Sequence, residues 1–274
     1  MPHKLALRSS LVFPAEAWAA RLAPEPFRDF MPYASASALK VIHAREVLKR
    51  ALDVAQHYSQ PGERARGAER LQASLAAEEL GSVLSVASEP PERLVTTHLG
   101  ERERRLIGER VLALYFHLLH YDGPLFLDLR LRHFGWDAAT EQLRFYPSAL
   151  WCRPDPEFMQ RLRSLYVGFY DDDDDALQRG LDLYRWNCRP SAGFSRRIEQ
   201  LLRRHFGAGE RSEMRFSIAQ FRSTFDAIFN EAAQSQARLH PELTFLGVEL
   251  IGLYLTLEAL EVPLNPRAAF DGAR

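Results

Sequence analysis

The stretch that decides the fold reads Tyr121-Asp-Gly-Pro-Leu-Phe-Leu-Asp-Leu-Arg-Leu-Arg-His-Phe-Gly-Trp-Asp137, and Gln142-Leu-Arg-Phe-Tyr146 follows it closely. Both segments are rich in the large apolar residues that strands favour. Turn-forming residues at 137–140 separate them. The pattern predicts a β-hairpin across residues 125–146.

A charged pair interrupts the apolar first arm of this hairpin. Asp128 and Arg130 have leucines on both sides, and side chains two apart in a strand share a face. A buried carboxylate is costly unless it is paired or hydrogen-bonded, so we expect Arg130 or Arg132 to pair with Asp128. Two interpretations follow from the residues alone, a structural ion pair and a polar group retained for binding or chemistry on a rigid frame.

Most of the remaining chain has helical apolar spacing, which predicts a mainly α protein. The prolines of residues 1–36 allow only short helical turns, such as Ala15 to Leu22. A short strand is predicted from Arg93 to His98, after Pro90-Pro91. The sequence therefore divides into an N-terminal helical segment, 1–91, and a second region, 92–274. Helices are predicted at 37–58, 63–86, 101–120, 157–170, 171–186, 194–206, 214–238 and 242–261.

Composition excludes some classes of protein. Lys+Arg number 35 and Asp+Glu 36, so no overall positive charge attracts nucleic acid. The cysteines, Cys152 and Cys188, are too few for a disulfide framework, and no apolar signal segment follows Met1, which predicts a cytoplasmic protein. The apolar run 243–260 contains Glu249 and Glu258, which favours a buried core helix over a transmembrane segment and leaves a membrane-surface role as the alternative.

Two groups of residues resemble metal ligands. The five aspartates at 171–175 lack the alternating ligands and glycine turn of a calcium loop, so they are interpreted as the start of a helix. His117 and His120 have no companion ligands at a suitable spacing and are interpreted as packed or surface residues.

Two further groups have equally simple explanations. Arginines at 102–105, 196–197 and 203–204 lie near aromatic residues and could hold phosphate, but interleaved acidic residues favour a solvated helix face. Ser148, Cys152 and Cys188 lack a neighbouring base, so no nucleophile is predicted.

Five segments follow one another in a recognisable order. They are Glu92-Arg-Leu-Val-Thr-Thr97, the stretch 121–137, Leu143-Arg-Phe-Tyr-Pro147, Asp155-Pro-Glu-Phe-Met-Gln-Arg-Leu162 and Leu253-Tyr-Leu-Thr-Leu-Glu-Ala-Leu-Glu-Val-Pro-Leu-Asn-Pro266. This order resembles the hinge strand, catalytic loop, metal-loop strand and closing helices of the ABC1 (AarF/UbiB) family of atypical kinases. The family's loop reads roughly H-x-D-x-x-x-x-N and is followed by a hairpin and D-F-G. The resemblance implies a helical, kinase-like C-lobe over residues 92–274.

The resemblance also implies a degenerate site. Asp128 matches the catalytic-loop aspartate, and His133 stands where the family has its metal-binding asparagine. Phe126 replaces the loop histidine, and Tyr146-Pro-Ser148 occupies the vicinity of the metal-loop aspartate. No nucleotide loop or K-x-G-Q motif precedes residue 92, and Lys40 lies in a helical pattern. Because phosphoryl transfer depends on metal neutralisation of phosphate charge, we expect no catalytic residues, metal or cofactor.

The expected function is therefore that of a pseudokinase-like binding or regulatory protein. It would act on a protein partner or a small apolar ligand through a cleft formed by Asp128, Arg130, His133, Asp137 and Tyr146. One alternative is a carrier or sensor of an isoprenoid or lipid-like ligand, suggested by the apolar helix and by the family's association with quinone biosynthesis. The other is a residual ATP-binding enzyme with Asp128 as base and Asp137 or His133 recruiting metal. The sequence leaves the oligomeric state open.

Overall fold

Helices form most of the structure, which confirms the mainly α prediction. The computed structural model describes residues 25–33, 37–38, 41–42, 44–58, 61–92, 94–206 and 213–273. The α-helices in these ranges are α1 (Ala44–Tyr58), α2 (Pro61–Ala76), α3 (Glu101–His120), α4 (Pro156–Tyr170), α5 (Asp174–Leu181), α6 (Phe194–Phe206), α7 (Ile218–Gln234), α8 (Leu243–Leu260) and α9 (Pro266–Asp271).

Short strands make two small sheets beside the helices. The strands are β1 (Leu84–Val86), β2 (Leu125–Phe126), β3 (Phe134–Asp137), β4 (Gln142–Phe145) and β5 (Trp151–Cys152). In the first sheet, β3 and β4 form an antiparallel hairpin in which Phe134 lies opposite Phe145, and β1 pairs parallel with β4. In the second sheet, β2 pairs antiparallel with β5.

The core is centred on α3 and α8. Helix α3 has the predicted bounds and buries most of its second half, and the Glu103 side chain accepts a hydrogen bond from the Gly100 N–H at its start (2.9 Å). Helix α8 alone among the described residues is long and apolar enough to cross a membrane, and 67% of it is buried inside the protein. The predicted core helix at 242–261 is thus confirmed.

The N-terminal segment packs on the same core. Residues Glu25–Tyr33 form a 3₁₀-helix whose Phe27 and Phe30 are buried, and Phe27 packs against Phe245 of α8 with ring centroids 6.0 Å apart. The pairing of β1 with β4 also crosses the predicted boundary between residues 91 and 92. The predicted helical turn at Ala15 to Leu22 and Lys40 lie outside the described residues.

Four of the predicted helices are longer than the helices of the structure. The helix predicted at 37–58 begins at Ala44, since the described residues 37–38 and 41–42 are not α-helical. The helix predicted at 63–86 ends at Ala76, and a 3₁₀ turn at Glu79–Ser82 then leads into β1. The turn brings Gly81 so close to the end of α2 that a Cβ there would lie 2.7 Å from the Leu75 carbonyl oxygen. Helices α5 and α7 are likewise shorter than predicted, at Asp174–Leu181 and Ile218–Gln234.

The strand predicted from Arg93 to His98 is wrong for its described residues. Leu94 and Val95 are irregular, and Thr96–His98 forms a 3₁₀ turn. Val95 and His98 are exposed, so no neighbouring strand covers this segment. The strand on this side of the molecule is instead Leu84–Val86, where buried Leu84 lies opposite Leu143. Contact with β4 decided which apolar segment became a strand.

The predicted hairpin is correct for its second arm and turn and wrong for most of its first arm. The turn at 137–140 is present, with Asp137 Oδ1 accepting hydrogen bonds from the Ala139 and Thr140 N–H groups (3.1 and 3.3 Å). Leu125–Phe126 pairs with Trp151–Cys152 instead of with β4, and residues 127–130 form no strand. The Arg130 N–H donates to Asp128 Oδ1 (3.2 Å), a local bond that competes with strand pairing.

Candidate functional site

The loop between β2 and β3 carries Asp128 at its centre. The Asp128 side chain is almost fully buried, at 2% exposure, and Leu127 and Leu129 on either side of it are buried in the core. Helix α8 supports the loop from behind, since Thr256 Oγ1 donates to the Leu129 carbonyl oxygen (2.7 Å). A Cβ at Gly252 would lie 2.9 Å from the Leu129 nitrogen, so only glycine permits this close approach.

Three cationic or ionisable side chains surround the Asp128 carboxylate. Arg130 binds it bidentately, with Nε to Oδ1 at 2.8 Å and a terminal nitrogen to Oδ2 at 2.7 Å. A terminal nitrogen of Arg132 and His133 Nε2 each lie 3.0 Å from Oδ2. With the Arg130 N–H as well, the donors fill the acceptor positions of the carboxylate.

These contacts determine the charge of Asp128. Burial alone raises the pKa of its carboxyl group, but hydrogen bonds and charge from Arg130 and His133 outweigh burial and hold that pKa well below the usual range. The carboxylate also raises the pKa of the Arg130 guanidinium against the opposing effect of burial. Asp128 is therefore ionised at neutral pH, and its carboxylate is a poor proton acceptor there.

The N-terminal segment covers this ion pair. Asp29 Oδ2 accepts a hydrogen bond from Arg130 (2.9 Å) and lies 3.6 Å from a terminal nitrogen of Arg132. The guanidinium of Arg130 also lies over the Phe30 ring, 4.4 Å from its centroid. Arg130 thereby joins two carboxylates from distant parts of the chain.

Tyr146 extends the cluster on the other side of His133. The two rings are stacked, with centroids 6.3 Å apart and planes at 12°, and the Tyr146 N–H donates to the His133 carbonyl oxygen (2.8 Å). Arg64 of α2 lies over the Tyr146 ring, 4.9 Å from its centroid, and donates to its hydroxyl group. In the described part of the chain, the buried His133 Nδ1 has no hydrogen-bond partner.

Four of the five predicted cleft residues converge, and one does not. Asp128, Arg130, His133 and Tyr146 form a continuous contact network, which we call the Asp128 cluster together with Arg132, Asp29, Phe30 and Arg64. Asp137 lies at the hairpin turn, where Arg144 donates to its Oδ2 (2.6 Å). The expected pairing of Asp128 with Arg130 and Arg132 is confirmed, although the residues do not lie in a strand.

Sequence reasoning missed the residues that come from outside the loop. Asp29, Phe30 and Arg64 carry no motif, and Asp29 stands 101 residues from the arginine that it binds. The sequence indicates only that the two arginines of an apolar loop need a negative charge nearby and other residues to shield them from solvent. It does not indicate which part of the chain supplies these residues.

The other candidate ligands have structural roles. Asp173 Oδ1 accepts from the Ala176 N–H at the start of α5 (2.9 Å), which confirms the helix-start interpretation of the aspartate run. His117 is buried between Ser74 Oγ, 3.1 Å from Nε2, and Glu78 Oε2, 3.0 Å from Nδ1. Burial raises the pKa of the Cys152 thiol, which makes it a poor nucleophile.

A second buried carboxylate lies in α8. Glu249 is fully buried, and among the residues that the structure describes neither of its carboxylate oxygens has a hydrogen-bond partner. Burial raises the pKa of Glu249 well above its ordinary value. On neighbouring helices the hydroxyls of Tyr115 and Tyr166 bind each other. Burial without a donor therefore favours the neutral acid form of Glu249 over its carboxylate.

No protein family matches the sequence, and no curated protein matches it significantly. The Asp128 cluster and the sequence resemblance are therefore the features that bear on the function of the chain.

Proposed function

We propose that the chain is a pseudokinase-like binding protein, a degenerate relative of the ABC1 family whose residues 92–274 form a kinase-like C-lobe. Support comes from the order of its elements. A buried helix, α3, leads into the loop that carries Asp128, and the β3–β4 hairpin follows. That is the order of catalytic-lobe helix, catalytic loop and metal-loop strand in which the sequence resembles the family.

The saturation of Asp128 carries the non-catalytic part of the proposal. A kinase-type base must accept a proton from the attacking hydroxyl group, and a metal ligand must offer a free oxygen lone pair. Asp128 offers neither, because Arg130, Arg132 and His133 occupy both of its oxygens. The cluster therefore supports a structural or binding role better than phosphoryl transfer.

The outer face of the Asp128 cluster is the surface that a partner would contact. Arg132 is 55% exposed and Asp29 56% exposed, whereas the Arg130 side chain between them is mostly covered. Such a polar face suits a protein partner or a small charged ligand. The apolar side chains of α8 are largely buried, so this helix adds no support to the lipid-carrier alternative. Free Cys152 and Cys188 support a cytoplasmic location for the binding role.

The first experiment separates binding from residual catalysis. We expect no Mg²⁺-dependent ATP turnover and no thermal stabilisation by ATP or ADP with Mg²⁺; a ligand at 100 times its Kd would stabilise by about 2.7 kcal/mol. ATP turnover that disappears in a folded Asp128→Asn variant would establish the enzyme alternative instead.

The second experiment tests the binding face with a matched pair of variants. Arg132 and Arg144 are equally exposed, at 55% and 52%, and each pairs with an aspartate, but only Arg132 belongs to the Asp128 cluster. Proteins cross-linked to the wild-type chain in its own cells should be lost with Arg132→Glu and kept with Arg144→Glu. If both variants retained the same cross-linked proteins, those proteins would bind at a surface other than the Asp128 cluster.

A further inference from the structure

A separate cleft lies between the end of α5 and the start of α6. It is open to solvent and has a volume of about 750 Å³. Gln178 of α5, the loop that runs from Arg185 to Gly193 and the first residues of α6 line it. A neighbouring depression of about 640 Å³ shares Arg185, Cys188 and Arg189 with it. None of the lining residues belongs to the Asp128 cluster, so this cleft is independent of the proposed function.

The charges that line the cleft are unbalanced. Arg185, Arg189 and Arg196 line it, whereas the one carboxylate in its lining is Glu199. Glu199 is already committed, because its Oε1 accepts from a terminal nitrogen of Arg203 (2.9 Å). Arg189 and Arg196 are exposed and make no hydrogen bond or ion pair with any described residue. The positive charges of Arg189 and Arg196 are therefore not paired with a carboxylate of the described residues.

Arg185 is held in place at the cleft wall. Its Nε donates to Asp182 Oδ1 (2.8 Å), and one terminal nitrogen donates to Ser195 Oγ (2.9 Å). Asp182 is shared with Arg161, whose terminal nitrogen lies 2.6 Å from Oδ2. The Asp182 carboxylate thus accepts hydrogen bonds from two guanidinium groups. The second terminal nitrogen of Arg185 makes no hydrogen bond with a described residue and can donate to a ligand.

We propose that this cleft binds a small phosphate monoester. A phosphate dianion needs several donors at once, and guanidinium groups offer forked pairs of N–H donors suited to its oxygens. The volume is in the range of small-molecule sites, which span about 300–1,000 Å³. Pro190 gives part of the lining an apolar surface, against which the carbon atoms of the ester can pack, whereas Phe194 is buried.

The proposal is tested by calorimetric titration with three compounds at constant ionic strength. Inorganic phosphate and glycerol 3-phosphate should bind saturably, and glycerol should not bind. Arg189→Gln and Arg196→Gln should each weaken glycerol 3-phosphate binding by about tenfold, as expected for loss of a charge-assisted hydrogen bond of roughly 1.5 kcal/mol. Both side chains are exposed, so both variants should keep the wild-type melting temperature.

Arg222→Gln is the control. Arg222 is an exposed arginine of α7 without an ion pair among the described residues, and it does not line the cleft. Its substitution removes the same net charge and should change the affinity less than about twofold, because distant charges are screened. The proposal fails if neither phosphate compound saturates. It also fails if glycerol 3-phosphate does not bind where inorganic phosphate does, or if Arg222→Gln weakens binding as much as the cleft variants.

Discussion

Asp128 and Glu249 are both carboxylates in the core, and their surroundings are opposite. Asp128 is 2% exposed and accepts from Arg130, Arg132 and His133, whereas Glu249 is 0% exposed and has no hydrogen-bond partner among the described residues. The pKa of Asp128 is lowered and that of Glu249 is raised. Burial by itself therefore does not determine the state of a carboxyl group; the local supply of donors does.

The difference originates in the elements that carry the two residues. Asp128 lies in a loop in which the next five positions supply two arginines and a histidine, and irregular backbone lets these side chains fold back onto the carboxylate. Glu249 lies in the middle of α8, where the backbone N–H groups are engaged in the helix and the neighbouring side chains are mainly apolar. This apolar helix therefore offers the Glu249 carboxyl group no local donor.

The two residues should give opposite responses to pH. A group whose pKa is lowered on folding contributes stability above its unfolded pKa, so the contribution of Asp128 is lost as the pH falls below about 4. A carboxyl group whose pKa is raised on folding is destabilising above its unfolded pKa, because the unfolded chain then releases the proton that the folded chain retains. Glu249 should therefore cost stability as the pH rises from about 4.5.

The largest effect is expected from Asp128→Ala. Removing the carboxylate leaves the half-buried Arg130 without its main counter-charge, and breaking a buried pair costs about 3–5 kcal/mol. Urea unfolding at neutral pH measures the loss. If the alanine variant does not fold, Asp128→Asn can be measured in its place. Asparagine keeps the shape of the side chain and removes its charge, so this variant should also be less stable than the wild type.

Asp137→Ala is the matched control for this change. Asp137 also pairs with an arginine, Arg144, but at an exposed turn, so its replacement should cost less than that of Asp128. An unfolding curve of Asp128→Ala that overlays the wild type would show that Asp128 has no structural role.

A smaller effect of the opposite sign is expected from Glu249→Gln. Glutamine has the shape of the neutral acid and cannot ionise, so the variant and the wild type should have similar free energies of unfolding near pH 4. As the pH rises towards 8 the variant should become the more stable protein, because the folded wild-type chain must keep a proton that its unfolded chain releases. Parallel pH profiles for the two proteins would mean that Glu249 is ionised or solvated in the folded state.

The smallest effect is expected from Asp29→Ala, at the exposed edge of the Asp128 cluster. Asp29 is 56% exposed, and exposed ion pairs contribute about 0–1 kcal/mol. Thermal unfolding in low and high salt would detect this contribution, which salt should reduce further. A loss as large as that of Asp128→Ala would show that the segment Glu25–Tyr33 holds the loop together instead of covering it.

Local patterns predicted several features correctly. Helices at 101–120 and 194–206 have the predicted bounds, because apolar spacing and flanking turn residues act over a few positions. The pair of Asp128 and Arg130 was also predicted, although on the assumption of a strand. Residues two apart can meet in an extended strand and in a tight loop alike, so the pairing is insensitive to that error.

Long-range contacts explain what the patterns missed. Leu84–Val86 continues a helical pattern in sequence and becomes a strand because β4 lies beside it, and Leu125–Phe126 pairs with β5 instead of entering the hairpin. The same holds for Asp29 and Thr256, which reach the Asp128 loop across 101 and 127 residues. Pairing at such separations depends on which surfaces meet after the helices pack.

Composition, apolar periodicity and short-range charge were enough to specify a mainly α protein with a hairpin at its centre and an arginine beside Asp128. They could not show that Glu249 would be enclosed without a partner, or that Tyr146 and Arg64 would lie against His133. Apolar periodicity predicts which face of a helix is buried, but it does not predict which other element packs against that face. The charge state of a buried group depends on the donors that the packed element brings near it, so only the tertiary structure determined that state.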